Sequence, residues 1–252
     1  KWNFRAGMRY EYSYLSAKFI HQTNGDHPDF ASKLNDWVPS VGMSYNLTDA
    51  ITLKASYTRT IHRPGISYLD PARSITPTTV SYGNPDLESE VYNNITAEMS
   101  MYTNKFNLSF YVGGTIVNNA LSENKWVEDD ISYSTYANIG KQRSFISSFY
   151  GQWSITEKTS LLVNLSAGYN HYRNPDKSMK GWWWNPFVRV VQKLPWKLEP
   201  SACLWYWSGS VGSPYSETKM PGSSGLGYEV VLTRRFLKDD RLTVGIIARN
   251  FA

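Results

Sequence analysis

The segment Ile51-Thr52-Leu53-Lys54-Ala55-Ser56-Tyr57-Thr58 decides the fold class. Ile51, Leu53, Ala55 and Tyr57 occupy alternate positions, and Thr52, Lys54, Ser56 and Thr58 fill the gaps. Successive side chains of a strand point to opposite faces, whereas a helix would scatter this apolar set around its circumference. The segment reads as a strand with one apolar and one polar face. The same alternation recurs at Ile95, Ala97, Met99 and Met101, at Phe106, Leu108 and Phe110, and at Leu161, Val163, Leu165, Ala167 and Tyr169. It also marks both ends, at Ala6, Met8, Tyr10 and Tyr12 and at Leu242, Val244, Ile246 and Ala248. No helix of ordinary length is predicted.

Working outward from this segment, the pattern predicts about eleven strands, at 3–18, 36–47, 51–61, 91–102, 105–127, 131–155, 159–172, 181–194, 198–211, 226–236 and 241–251. Short polar turns fall at Thr48-Asp49-Ala50, Thr103-Asn104-Lys105, Thr156-Glu157-Lys158, Pro195-Trp196-Lys197 and Lys238-Asp239-Asp240. Between them lie longer connections, His21 to Asn35, His62 to Glu90, Arg173 to Lys180 and Gly212 to Gly225. The hairpin 105–155 is overlong, so its tip at Glu128-Asp129-Asp130 projects beyond the sheet as a solvated turn. Connections this short or this polar leave no room for crossover helices, so an antiparallel, up-and-down sheet is expected.

Long connections at one edge and tight turns at the other match a transmembrane β-barrel, with turns in the periplasm and loops outside. Composition agrees. Aromatic residues make 15% of the 252 residues and charged residues only 19%, and amphipathic rings suit the two bilayer interfaces. The run Trp182-Trp183-Trp184 is expected in such a girdle, and the same run together with Trp205 and Trp207 is the weaker candidate for stacking a sugar. No run approaches the roughly 18 apolar residues of a membrane helix. On this reading Leu53, Ala55, Leu108, Leu161, Val163, Leu165, Val244 and Ile246 face lipid, and Lys54, Glu98, Ser109, Asn164 and Thr243 face the lumen.

Three segments carry a family resemblance: Ser56-Tyr57-Thr58-Arg59-Thr60-Ile61-His62-Arg63-Pro64-Gly65, Tyr82-Gly83-Asn84-Pro85-Asp86-Leu87-Glu88-Ser89-Glu90 and Tyr136-Ala137-Asn138-Ile139-Gly140. In this order they resemble the barrel of TonB-dependent outer-membrane receptors, in particular the outer-membrane β-barrel family abundant in Bacteroidetes-type bacteria. The residues also have a local reading. Pro64 cannot donate to a ladder, Gly83-Asn84-Pro85-Asp86 is turn chemistry, and the acids at 86, 88 and 90 are expected to keep the approach to the next strand solvated.

The resemblance implies nutrient uptake through a roughly 22-stranded, plugged barrel in the bacterial outer membrane. It implies as partners membrane lipid, an energy-transducing TonB-type periplasmic protein acting on the plug, and a surface lipoprotein. About eleven strands are half of such a barrel. No plug segment, TonB box or terminal aromatic residue is recognisable, so the chain reads as a single barrel segment, 1–252, from the C-terminal half and short of its last strand. An uptake substrate would first meet the outer loops, and the longest connection offers Arg63, Tyr68, Asp70, Arg73 and Tyr82, charges and rings able to hold a polar ligand. Two alternatives stay open: a smaller outer-membrane barrel acting as adhesin or anchor, and a soluble β-rich carbohydrate-binding protein.

Enzyme chemistry is not expected. His21, His27, His62 and His171 show no metal-protease spacing, and neither GxSxG nor a P-loop occurs. His21 and His27 share a loop with Asp26 and Asp29, a weak metal candidate. The lone Cys203 can form no internal disulfide and has no CxxC partner. No cofactor is implied. The net charge of +5 is spread without a basic run, which gives no reason to invoke nucleic acid.

Overall fold

The computed structural model describes residues 1–18, 29–209 and 224–250. Eleven long strands form one open sheet, each paired antiparallel with its neighbour. In chain order they are β1 (Trp2–Ala17), β2 (Phe30–Asn46), β3 (Ile51–His62), β6 (Glu90–Tyr102), β7 (Phe106–Glu128), β8 (Ile131–Ser154), β9 (Thr159–Arg173), β10 (Ser178–Gln192), β11 (Leu198–Trp207), β12 (Gly225–Phe236) and β13 (Leu242–Arg249). Two short strands, β4 (Ser74–Ile75) and β5 (Thr79–Ser81), and a one-turn helix, α1 (Ile66–Leu69), lie inside the connection from β3 to β6. Among the described residues β1 and β13 do not pair, so this chain does not seal a barrel by itself.

Ladder register assigns the faces. Lys54 pairs with Glu98, Ser100 with Ser109, Ser109 with Tyr150 and Tyr150 with Asn164. Continued through Phe187, Trp205 and Gly227, the same face reaches Thr243 opposite Arg235. All five polar residues singled out above therefore share one face, and the eight apolar ones share the other. The second face is where large hydrophobics stand exposed, among them Phe4, Met43, Leu53, Ile95, Leu165, Val188, Leu204 and Ile246. Exposure of so much contiguous apolar surface is tolerable only against lipid or a partner.

Rings band this apolar face at two levels. Near the short turns stand Trp2 on Tyr45 and Phe106 on Trp153, with centroids 4.3 and 5.6 Å apart. Toward the long connections stand Tyr10 by Trp37 and Tyr169 by Trp182. From Trp2 to Tyr10 is about 26 Å along the strand at roughly 3.3 Å per residue. Of the tryptophan run, Trp182 and Trp184 lie exposed on this face, but alternation turns Trp183 to the other. There its ring covers Gly168, as Trp205 covers Gly227 and Trp207 covers Gly225. A Cβ at any of these glycines would collide with the ring, so the three tryptophans are engaged in covering neighbouring backbone.

The structure corrects four sequence expectations. Strand β2 starts at Phe30 rather than 36, because its outer end, where apolar and polar residues do not alternate, pairs residue for residue with β1 up to Ala17 opposite Phe30. The connection after β9 is a turn at 174–177 rather than a long loop: Asn174 Oδ1 accepts the Asp176 and Lys177 amides at 3.2 and 2.6 Å. Strand β5 runs parallel to β8, the exception to an antiparallel sheet. It occupies Ser132–Ser134, an edge of the projecting hairpin that β9 is too short to reach, and an edge left bare would be open to foreign strands. Glu90 is buried rather than solvated. The metal candidate of His21, Asp26 and His27 and the connection from Gly212 lie outside the described residues.

A single sheet has no second layer to pack on, so the buried cluster forms where the long connection folds back. Phe30, Leu69 and Leu87 are buried there against Leu15, Ala17, Leu121 and Tyr136.

Candidate functional site

The connection from β3 to β6 is a compact structure built on its own backbone. Pro64 and Gly65 end the ladder, and α1 closes with the Asp70 amide donating to Ile66 O at 2.9 Å. Leu69, one per cent exposed, anchors this turn in the cluster. The chain then makes the β4–β5 hairpin and returns, with Gly83 N donating to Asp70 O and Asn84 N to Tyr68 O at 2.8 and 2.7 Å. The two passes are so close that a Cβ at Gly83 would lie 2.5 Å from Asp70 O and 2.7 Å from Tyr68 O. This contact requires the glycine.

Three asparagines then tie the connection to the projecting hairpin. Asn84 Nδ2 donates to Tyr136 O at 3.0 Å. Asn138 takes the Glu88 amide on its oxygen and donates to Glu88 O and Asn119 O. Asn119 repeats the pattern between the Val91 amide and Ser89 O at 2.9 and 2.7 Å. The second and third segments quoted for the resemblance are thus brought together, the register pair His62 and Glu90 adds the first, and Asn119 is the member that sequence reading missed. An amide presents a donor and an acceptor together, which suits it to pair with a strand-like backbone.

Charge locks the same region to the wall. The Arg63 guanidinium lies 2.9 Å from Glu11 Oε2 and 3.5 Å from Asp36 Oδ2, joining the connection to β1 and β2. Asp36 also accepts from Ser89 Oγ at 2.8 Å in a buried contact. Glu90 receives the Leu121 amide at 2.6 Å, Tyr92 OH at 3.3 Å, and His62 Nδ1 at 3.0 Å.

Two of the clefts beside this framework hold loop candidates. One, of about 470 Å³, is walled by His62, Tyr68, Glu90, Tyr136, Asn174 and Lys177, with the Tyr68 and Tyr136 rings edge to face at 4.7 Å. The other, of about 490 Å³, holds Arg73 and Tyr82 with Pro71 and Thr135, the Arg73 guanidinium 5.6 Å above the Tyr82 ring. The five loop candidates therefore separate. Tyr68 lines the first cleft and Arg73 and Tyr82 the second, while Arg63 is held in the ion-pair network and Asp70 Oδ1 accepts the Ala72 amide at 3.0 Å. His62 and Glu90, facing Tyr68 in the first cleft, were not among the candidates. Their register pairing at the end of β3 and β6 is the signal that places them. Farther down, Lys54 and Glu98 pair at 3.8 Å beside Arg5 and Tyr111 in a shallow groove of about 380 Å³.

Residues 1–251 match the family described as outer membrane protein beta-barrel family. The chain belongs to that family. Its place is the bacterial outer membrane, and the soluble alternative falls away. No curated protein matches. Among solved structures, the FrpB iron transporter from Neisseria meningitidis superposes with a TM-score of 0.71 at 14% identity, over 99% of this chain and 38% of that one. The copper transporter OprC gives 0.69 at 11% identity, over 99% and 40%. The ferric enterobactin receptor PfeA from Pseudomonas aeruginosa gives 0.67 at 14% identity, over 97% and 39%. At these identities the likeness concerns the fold. The chain spans about two fifths of the length of each.

Proposed function

We propose that this chain is part of the barrel wall of a TonB-dependent receptor that imports a nutrient across the outer membrane. The observation that carries this reading is the run of eleven consecutive antiparallel strands sharing a fold with outer-membrane iron and copper transporters over nearly all of this chain. The reading assigns transport rather than catalysis. A plug and the remaining strands of the wall belong to other parts of the receptor, β1 and β13 being the edges that those strands meet. A TonB-type protein pulls on the plug, and a surface lipoprotein over the long connections is the second partner.

On this reading the polar face lines the lumen, with Lys54, Glu98, Ser109, Asn164 and Thr243 on it. The substrate meets the two clefts first. His62, Tyr68 and Glu90 contact it in one and Arg73 and Tyr82 in the other, while Arg63 and Asp70 hold the connection in shape.

The test is growth on media each limited in a single nutrient, comparing cells with and without the intact receptor. A defect on one nutrient, reproduced by loss of the energising partner, supports the reading; normal growth on every medium overturns it. The faces are tested separately. Arg at the lipid midplane costs about 2–4 kcal/mol, so Val163→Arg is expected to block assembly while Asn164→Arg assembles, as read by heat-modifiable migration. Equal tolerance would reverse the assignment.

A further inference from the structure

Below the projecting hairpin, the described strand residues of the apolar face carry charge of one sign only. Among the described residues, the ladder below the projecting hairpin places Lys33, Arg59, Lys141, Arg143, Arg173 and Lys180 on that face toward the long connections, and Arg234 near the turns. Below that hairpin, which itself carries Glu123 and Glu128, the strand carboxylates Glu11, Asp36, Glu90, Glu98, Glu199 and Glu229 all fall on the opposite face. A surface meant only to dissolve in hydrocarbon would carry neither sign.

Four of these cations form a block. Lys141 is the register partner of Arg173 across β8 and β9, Arg143 is the partner of His171, and His171 is the partner of Lys180 on β10. Directly opposed side chains have Cβ atoms about 4.5–5.5 Å apart, and like charges so placed repel. None of the four makes an ion pair among the described residues. Arg143 donates only to neutral oxygens, Val117 O and Gln142 O at 2.8 Å and Asn118 Oδ1 at 2.5 Å.

Immediately below the block lies the ring row of Phe145, Tyr169 and Trp182, mutual register partners at the upper aromatic band. Beside this row runs a groove of about 260 Å³ lined by Ile95, Gly114, Ile116, Phe145 and Tyr169, with Arg143 at one end. Its floor is Gly114, the register partner of both Ile95 and Phe145. A Cβ at Gly114 would meet only Ser144 O at an ordinary 3.7 Å. Packing within the sheet does not demand this glycine, and its effect is to leave an apolar trough leading to a guanidinium.

We propose that this wall holds a phosphorylated lipid of the outer leaflet, its phosphate among Lys141, Arg143, Arg173 and Lys180 and one acyl chain over Gly114. The cation block and the trough meet at Arg143, as a lipid's headgroup and chain meet at its phosphate. A free anion would use the block alone. The inference rests on the apolar face meeting lipid and is independent of what the receptor imports.

The test uses the intact receptor, delipidated in neutral detergent, with lipid retention read by native mass spectrometry. The probes are dioleoyl phosphatidic acid, dioleoyl phosphatidylcholine and inorganic phosphate. Phosphatidic acid is expected to bind in preference to phosphatidylcholine, and Lys141→Gln/Arg143→Gln/Lys180→Gln to weaken it roughly a hundredfold, at about fivefold for each cation. Gly114→Leu keeps every charge and is expected to lower phosphatidic acid retention by filling the trough. High salt, applied to the unmodified receptor, is expected to reduce phosphatidic acid to the level of phosphatidylcholine, a result that needs no variant to fold. Equal retention of the two lipids overturns the proposal. So does competition by millimolar inorganic phosphate together with indifference to Gly114→Leu, which would mark an anion site without a lipid.

Discussion

The two edges of this sheet are closed by opposite strategies. At the turn edge the closure is local: Thr48 Oγ1 accepts the amides of Ala50 and Ile51, Thr103 Oγ1 those of Lys105 and Phe106, and Thr156 Oγ1 those of Lys158 and Thr159. Each threonine reaches two or three residues along the chain, so each turn closes without help. At the long-connection edge the local turn at Asn174 is the exception, and the other ties join Asn84 to Tyr136, Asn138 to Glu88 and Arg63 to Glu11, each about fifty residues apart. Local ties make an edge that adds each hairpin independently. Distant ties make an edge that exists only once the wall is assembled, and there the clefts lie.

The strongest way to break this comparison is Leu69→Ala. Removing a fully buried leucine costs about 2–5 kcal/mol, and the loss should appear as faster hydrogen exchange across 66–87 with the turns unaffected. Exchange that rose equally at both edges would mean that the connection is not a separate layer. Asn119→Ala comes next: it leaves the Val91 amide and Ser89 carbonyl without their partner, at about 1–3 kcal/mol for an orphaned group, and should release the connection from the hairpin to limited proteolysis. Thr103→Ala should cost about 0.5–1.5 kcal/mol and raise exchange only at Lys105 and Phe106. A change at Thr48 or Thr156 would contradict local closure.

The smallest effect sharpens the contrast at a turn-edge pair that is distant in sequence. Lys197 Nζ donates to Asp240 Oδ1 at 2.6 Å between neighbouring turns. That hydrogen bond, with the charges of Lys197 and Arg235, holds the Asp240 carboxyl below its ordinary range, although partial removal from water acts the other way. A carboxyl whose folded value is depressed contributes stability above its unfolded value, near pH 4. That contribution disappears as pH falls through the folded value. Asp240→Asn should therefore lower thermal stability slightly at neutral pH and abolish the further slight loss below about pH 4.

Period-2 alternation is a property of neighbouring residues, so the strands, their faces and the threonine turns were readable from the sequence. Leu161 to Tyr169 has to be a strand with one face apolar wherever it lands. Where reading stopped, the deciding contact lay far along the chain. The start of β2 at Phe30 depends on Ala17 opposite it, because Phe30, Ala31 and Leu34 put apolar residues on both faces and break the alternation. Burial of Glu90 depends on the Leu121 amide and on His62, and separation of Tyr68 from Arg73 into two clefts depends on where β5 meets β8. The cation block is the clearest case. Lys141, Arg143, Arg173 and Lys180 are unremarkable singly, and only ladder register sets them on one face of three adjacent strands. Alternation tells which face a side chain takes, but pairing between strands decides which charges become neighbours.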